Sequence, residues 1–291
     1  NKAGTDWYDA ITDNAPMTRH SLGFTASTDR MRFYSGINLQ HIDGILKNNS
    51  FDRYTFRINS EFDLSKKIRV GENLQILYRR VLGQGGGNNG AGVPGDENAI
   101  LSAFRMPSII PIYDEFGGYA GTAAKGFNNP RNPVAERDGI ADNRGFGYGT
   151  LGNFYLEIDP IKNLTIRSSI GGFASASAYK FYNRLQYENS ENNASYSYGE
   201  GNSYFVNWTF TNTAAYKAQF GESSLDLLGG IEAINSGNGR STDASGLNPF
   251  STDPNYINLT TVSNRQVSSS YLTLPHFFSV FGRVNYGFRD K

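Results

Sequence analysis

The side chains that could do chemistry in this chain are few and scattered. There is no cysteine, which excludes a thiolate nucleophile, a disulfide framework and a thiolate metal site. The three histidines, His20, His41 and His276, are far apart and lack a ligand spacing such as HExxH. Glu157 and Asp226 are carboxylates of the type a glycosidase uses, but no pattern pairs them. The sequence therefore predicts no enzyme and no catalytic residue.

Two polar segments invite a cofactor or metal interpretation. Residues 138–143 carry aspartates and an asparagine, but they lack the spacing and terminal glutamate of an EF-hand, so calcium in this loop stays an unsupported alternative. The glycine-rich run 83–92 has no following Lys-Ser or Lys-Thr and no βαβ setting, which excludes a phosphate cradle. We predict no cofactor and no metal site.

One loop motif has the side chains of a ligand site. Aromatic rings can stack on sugar faces, a carboxylate accepts paired hydroxyl hydrogen bonds, and glycines let a ligand approach the backbone. These residue types coincide at Tyr113, Asp114, Gly117, Gly118 and Tyr119. The alternative is that the same residues fold a long loop onto itself or against a covering partner.

The elements that would position these residues are strands. Over 52–80, apolar side chains recur at every second position, as at Tyr54, Phe56 and Ile58, and again at Leu74 and Ile76. Charged and amide side chains fill the positions between. Because strand side chains alternate with period two, this predicts a β-hairpin with one apolar face and one polar face.

The same alternation recurs along the chain and predicts about nine strands. Their connections alternate between short turns and long polar loops at about 82–145, 176–202 and 237–271. A short helix is expected over 96–106, capped by Asp96 and ended by Pro107. Alternating short turns and long loops are typical of an antiparallel up-and-down transmembrane β-barrel. A soluble sandwich, whose crossings mix loop lengths, remains the alternative.

A barrel would sort the side chains by face. Apolar side chains would face outer-membrane lipid: Tyr54, Phe56, Ile58, Leu74, Ile76, Tyr78, Phe154, Leu156, Ile158, Trp208, Phe210, Val280 and Val284. Charged side chains would face the lumen: Arg53, Arg57, Glu61, Arg79, Glu157, Arg167, Asp226, Glu232 and Arg283. Aromatics near strand ends would form an interfacial girdle. No apolar run reaches the roughly 18 residues of a transmembrane helix, and the zero net charge gives no reason to expect nucleic acid as a partner.

An odd number of strands leaves open edges, which lipid cannot hydrogen-bond. We therefore expect a slice of a larger barrel of about 22 strands, with a plug and signal sequence before it and further strands after it.

Specific segments also resemble a known family. Thr5-Asp6-Trp7, Ala15-Pro16-Met17 and the strand that begins at His20 resemble, in that order, the passage from plug to barrel in SusC/RagA-like TonB-dependent outer-membrane transporters. Segment 32–63 is similar to the family strand that ends in Gly-Ile and to the following F-x-R-Y-x-x-R-x-N. Segment 107–121 resembles the family loop P-x-x-P-x-Y-D-x-x-G-G-Y, and 129–136 the N-P-x-x-P region.

The resemblance implies residues 1–17 as a plug-to-barrel connection and 18–291 as part of a multi-pass barrel in the Gram-negative outer membrane. It further implies import of oligosaccharides, or peptides in some members, with a SusD-like lipoprotein as lid and with energy from TonB through a plug. The alternatives are a soluble β-sandwich or barrel that binds or hydrolyses carbohydrate, and a purely structural or adhesive barrel.

Overall fold

The computed structural model describes residues 4–83, 99–124, 126–127, 129–189 and 195–289. Ten antiparallel strands form one sheet. The strands are β1 (Met17–Thr28), β2 (Met31–Asp43), β3 (Ser50–Ser65), β4 (Ile68–Leu82), β5 (Arg144–Ile161), β6 (Leu164–Asn183), β7 (Ser197–Phe220), β8 (Ser223–Leu247), β9 (Ser263–Thr273) and β10 (His276–Phe288). The helices are α1 (Trp7–Ile11), α2 (Ala99–Arg105), α3 (Pro133–Gly139) and a short 3-10 helix over Pro254–Tyr256. None of the helices in these ranges is long and apolar enough to cross a membrane.

The strand order confirms the up-and-down topology. Strands β1 to β8 are neighbours in sequence order, β10 follows β8, and β9 pairs with the far end of β8. Within the described residues β1 and β10 do not pair with each other, so the sheet stays open. Each consecutive antiparallel pair satisfies its backbone groups with its neighbour, which leaves only the two outer edges unpaired.

The connections alternate in length, as the sequence predicts. Tight turns join β1 to β2, β3 to β4, β5 to β6 and β7 to β8. The two residues between β9 and β10 join segments that run in line along β8, and the remaining connections are longer. Asn163 and Gly221 adopt left-handed backbone conformations in two of the tight turns, with φ of 70° and 59°. All tight turns therefore lie at one end of the sheet, and the longer connections lie at the other.

The prediction of about nine strands agrees with the sheet, because β9 and β10 run in line along one edge of β8. The third polar loop, however, is largely strand. β8 continues to Leu247 past a bulge opposite Val206 and Trp208, and β9 follows at Ser263–Thr273. β6 and β7 likewise extend into the second polar stretch, to Asn183 and from Ser197. These extensions are rich in Gly, Ser, Asn and Thr. Their cross-strand side-chain contacts are mainly polar or aromatic, as between Ser241 and Ser270 at 2.7 Å, and they carry no alternation of hydrophobicity for a sequence pattern to detect.

The register brings each predicted set of side chains to one face. Tyr54 pairs with Tyr78 and Tyr78 with Tyr148, and the other apolar side chains follow in the same rows. The predicted polar set lies on the opposite face, as in the pairs Arg53–Arg79 and Glu157–Arg167. The apolar face is uncovered: Phe154 and Ile170 on neighbouring strands are 51% and 50% exposed. We call the two surfaces the apolar face and the polar face.

A small helical unit sits at the long-loop end. Trp7 and Ile11 of α1 pack with residues of α2, α3 and the chain between them, and the Trp7 indole Nε1 donates to the Pro107 carbonyl at 3.1 Å. Asp6 caps α1 by accepting a hydrogen bond from the Asp9 backbone N–H at 3.0 Å. The predicted helix over 96–106 is present as α2, but its proposed cap, Asp96, lies outside the described residues. The glycine-rich run from residue 84 onward does too.

Candidate functional site

The polar face carries a charged network near the tight turns. Glu157 accepts from Arg167 at 2.8 Å and from Arg69 at 3.4 Å, while the Tyr155 hydroxyl donates to Glu61 at 2.6 Å. The Arg167 guanidinium lies 4.0 Å from the centre of the Tyr155 ring. Arginines and carboxylates alternate across four strands, so this network neutralises itself. Because its charged groups pair with one another, the network gives no support for a ligand site.

Nearer the long-loop end the polar face is positive. Arg53 and Arg79 are directly opposite each other on β3 and β4, and Arg57 lies two rows below. Arg57 donates to the Gln75 amide oxygen at 2.7 Å. None of these three arginines forms an ion pair within the described part of the chain, unlike the arginines of the network below.

The remaining predicted polar-face residues lie on the last strands. Glu232 accepts from the Thr211 hydroxyl at 2.9 Å. Asp226 and Arg283 occupy adjacent rows of β8 and β10 on the same face, without an ion pair among the described residues. The nine predicted residues thus do not form one site: some form the neutral network and others line separate parts of the wall.

The loop motif folds onto itself. One Asp114 carboxylate oxygen accepts from the backbone N–H groups of Phe116 at 2.9 Å and Gly118 at 2.8 Å. Gly117 takes a left-handed φ of 84°, and the rings of Tyr113 and Tyr119 stack 5.6 Å apart. Asp114 therefore closes an Asx-type turn. This geometry gives the motif a structural task; its binding of a ligand stays a prediction.

Tyr119 anchors this loop to the rest of the long-loop end. Its hydroxyl donates to Asp138 at 3.1 Å, its backbone N–H donates to the Tyr187 hydroxyl at 2.9 Å, and the Arg184 guanidinium lies 4.8 Å from its ring centre. Burial, followed by the negative charge of Asp138, raises the pKa of Tyr119 to about 12. The phenol therefore stays protonated at any physiological pH, as a donor and not as a base.

The segment proposed as a calcium alternative is engaged elsewhere. Asp138 pairs with Arg137 at 2.7 Å, and the Asn143 side chain accepts from the Tyr182 backbone N–H at 2.8 Å. Over the ranges that the structure describes, no three His, Asp or Glu residues gather as metal ligands.

Sequence reasoning missed a charged cluster on the apolar face. The Asp52 carboxylate bonds His41 Nδ1 at 2.7 Å and Arg80 Nη2 at 2.7 Å, one row beyond the Tyr54–Tyr78 pair. The signal was present, because strict alternation puts Asp52 and Arg80 in phase with the apolar positions. We infer that the apolar band ends at this row.

No family model matches the chain. It is 29% identical over 302 residues to TonB-dependent receptor P26 of Formosa agariphila and 27% identical over 295 residues to TonB-dependent receptor P3 of the same organism. These alignments cover 98% and 99% of the chain, which spans 28% of the length of each relative.

Solved structures agree with this match. The RagAB peptide importer in its open-open state superposes with a TM-score of 0.74 at 22% identity, over 98% of this chain and 31% of that one. Its closed-closed state gives a TM-score of 0.72 at 21% identity, with the same coverage. The resemblance to SusC/RagA-like TonB-dependent transporters is confirmed. The ferric citrate transporter FecA shares the fold more distantly, with a TM-score of 0.51 at 11% identity over 94% of this chain and 33% of FecA. The ten strands therefore have the fold of a segment of a TonB-dependent receptor barrel.

Proposed function

We propose that this chain forms part of the barrel wall of an outer-membrane importer driven by TonB. The observation that carries the proposal is sequence similarity to TonB-dependent receptors along 98% of the chain. The RagAB match adds a peptide importer of the same fold. The imported substrate is an oligosaccharide or a peptide. A soluble sandwich is disfavoured because no second sheet covers the apolar face in the described part of the chain.

In this proposal the apolar face contacts lipid. Its exposed aliphatic and aromatic side chains form a continuous band over neighbouring strands. Soluble proteins rarely expose an apolar surface of that extent to water. The Tyr54–Tyr78–Tyr148 row marks one margin of that band, with centroids 5.9 and 5.0 Å apart, as an interfacial aromatic girdle does. The charged Asp52 cluster lies just beyond that row, at the level of lipid headgroups.

The polar face then lines the lumen, and the long loops lie outside the cell. Self-paired charges such as Glu157 and Arg167 suit a wet interior. The helical unit and the Tyr113–Tyr119 turn sit at the outer mouth, where a SusD-like lid lipoprotein would contact them. TonB would act through a plug supplied by the rest of the receptor.

Uptake by cells tests the proposal. The gene for the full-length receptor is deleted and restored, and uptake of labelled oligosaccharide and peptide pools is measured with and without TonB. We expect deletion of the receptor and loss of TonB to abolish uptake of the same pool, while restoration recovers it. Uptake that needs the receptor but not TonB would contradict the proposal, and so would recovery of the receptor in the soluble fraction.

A further inference from the structure

The positive region of the polar face includes an arginine that the sequence did not single out. Arg19 on β1 pairs in register with Gln40, Gln40 with Arg53, and Arg53 with Arg79. Neighbouring strands lie about 4.8 Å apart, so three guanidinium groups lie along one row across four strands. Arg57 follows two rows below, on the same face.

These four arginines lack negative partners. Within the described part of the chain none of them forms an ion pair, whereas each carboxylate of the network near the tight turns has an arginine or tyrosine partner. Like charges in one row repel each other unless an anion lies between them. The row therefore carries positive charge that these strands do not neutralise and that a bound anion would neutralise.

A pocket lies at this row. It has a volume of about 250 Å³ and is lined by Arg19, Arg53 and Arg57 together with Asn38 and Tyr34. Two of its polar atoms, Arg53 Nε and Asn38 Oδ1, are buried and have no hydrogen-bond partner within the described residues. Asn38 donates its amide to the Ser21 hydroxyl at 2.6 Å, which fixes the free oxygen as an acceptor. Buried polar atoms without a partner are rare in proteins, and here both belong to residues that line one pocket.

An aromatic ring completes the pocket. Tyr34 lies against the backbone of Gly36 and Gly23, and a Cβ atom at Gly36 would collide with the phenol. Position 36 thus needs glycine for the ring to lie there, whereas a Cβ atom at position 23 would make ordinary van der Waals contact with it. A ring face beside hydroxyl and amide groups is suited to a sugar, which stacks its C–H face on the aromatic surface.

We propose that this arginine pocket binds an acidic sugar residue of the imported oligosaccharide. Its carboxylate or sulfate accepts hydrogen bonds from the guanidinium groups in the forked geometry that arginine favours. The sugar ring stacks on the Tyr34 ring. The inference rests on the proposed import function and narrows its substrate to anionic oligosaccharides.

Binding to the purified full-length receptor tests the assignment. The probes are tetragalacturonate, a sulfated galactan tetrasaccharide, a neutral galactose tetrasaccharide and tetraglutamate, each titrated calorimetrically at two salt concentrations. We expect one of the two acidic saccharides to bind at least tenfold more tightly than the neutral one, with affinity falling as salt rises.

Variants locate the binding. Arg53→Gln removes the central charge and should weaken the acidic saccharide at least tenfold, with a shallower salt dependence. Arg283→Gln removes a charge from the same face on β10, outside the pocket, and should change affinity less than twofold. Gel mobility of the heated and unheated receptor confirms that both variants fold.

Several results would overturn the inference. Equal affinity for the neutral and acidic saccharides would overturn it. Binding of neither acidic saccharide would overturn it too, as would an unchanged affinity in Arg53→Gln. Tighter binding of tetraglutamate would assign the pocket to acidic peptides or to an acidic protein segment instead. These failures leave TonB-dependent uptake intact, which separates them from failure of the proposed function.

Discussion

Phe210 gives the sharpest test of which face meets lipid. It lies on the apolar face of β7, 40% exposed, six residues from Tyr204, which shares the row of Tyr148 and the aromatic girdle. Six residues span about 20 Å of strand, and a tilt near 40° reduces this to a depth of about 15 Å. Phe210 thus sits near the middle of a hydrocarbon core about 30 Å thick. Arginine at that depth costs about 2–4 kcal/mol, so Phe210→Arg should lower the barrel's folding equilibrium by a factor of roughly 30 to 1000.

The assay is urea-dependent folding of the full-length receptor into lipid vesicles, followed by tryptophan fluorescence and gel mobility. Thr209→Arg is the matched control, because Thr209 is the preceding residue on the polar face and should accept arginine at a cost below about 1 kcal/mol. Phe210→Leu separates loss of the ring from gain of the charge. Equal destabilisation by the two arginine variants would refute the assignment of faces, and so would a larger cost at Thr209.

Three further predictions concern the long-loop end and the polar face. Asp114→Ala removes two hydrogen bonds that close the loop turn, which should cost about 1–2 kcal/mol locally and speed amide exchange over 113–119 without changing barrel stability; unchanged exchange would contradict this structural role. Tyr119 keeps its proton to about pH 12 in the folded protein while an unfolded tyrosine loses it near pH 10, so stability should fall as pH rises between these values. Tyr119→Phe should flatten that fall in pH-dependent denaturation, and an identical profile would argue against it. Glu157→Gln leaves the Arg167 guanidinium with a weakened partner and should destabilise the barrel by roughly 1–2 kcal/mol in the same urea assay, whereas no change would indicate that water replaces the pair.

The hairpins and their faces could be predicted from the sequence because side-chain alternation is a local signal. Tyr54, Tyr78 and Tyr148 are far apart in the chain, yet the local alternation around each one assigns it to the apolar face. Strand register then brings the three residues into one row. β9 and the outer part of β8 could not be predicted in this way. Most of their residues are polar on both faces, so no alternation of hydrophobicity marks them as strands.

The candidate sites also divide into residues that alternation assigns to a face and residues that only the folded structure brings together. Sequence reasoning placed Arg53, Arg57 and Arg79 on the polar face, since alternation is enough for that. It could not show that Arg19 and Asn38 join them, because register over β1–β4 brings these residues together. Nor could it show that Asp114 is occupied by its own loop, because that depends on the left-handed turn at Gly117.

The central claim is an outer-membrane barrel with its long loops on the extracellular side and its tight turns on the periplasmic side. This chain contains no cysteine, so single cysteines can report sidedness against a blank background over its length. Phe116→Cys lies in the first long loop at an 88% exposed position, and Lys66→Cys lies in the tight turn between β3 and β4. In intact cells that express the full-length receptor, a membrane-impermeant maleimide should label Phe116→Cys at once and Lys66→Cys only after the outer membrane is permeabilised. Immediate labelling of both positions, or of Lys66→Cys alone, would contradict the account.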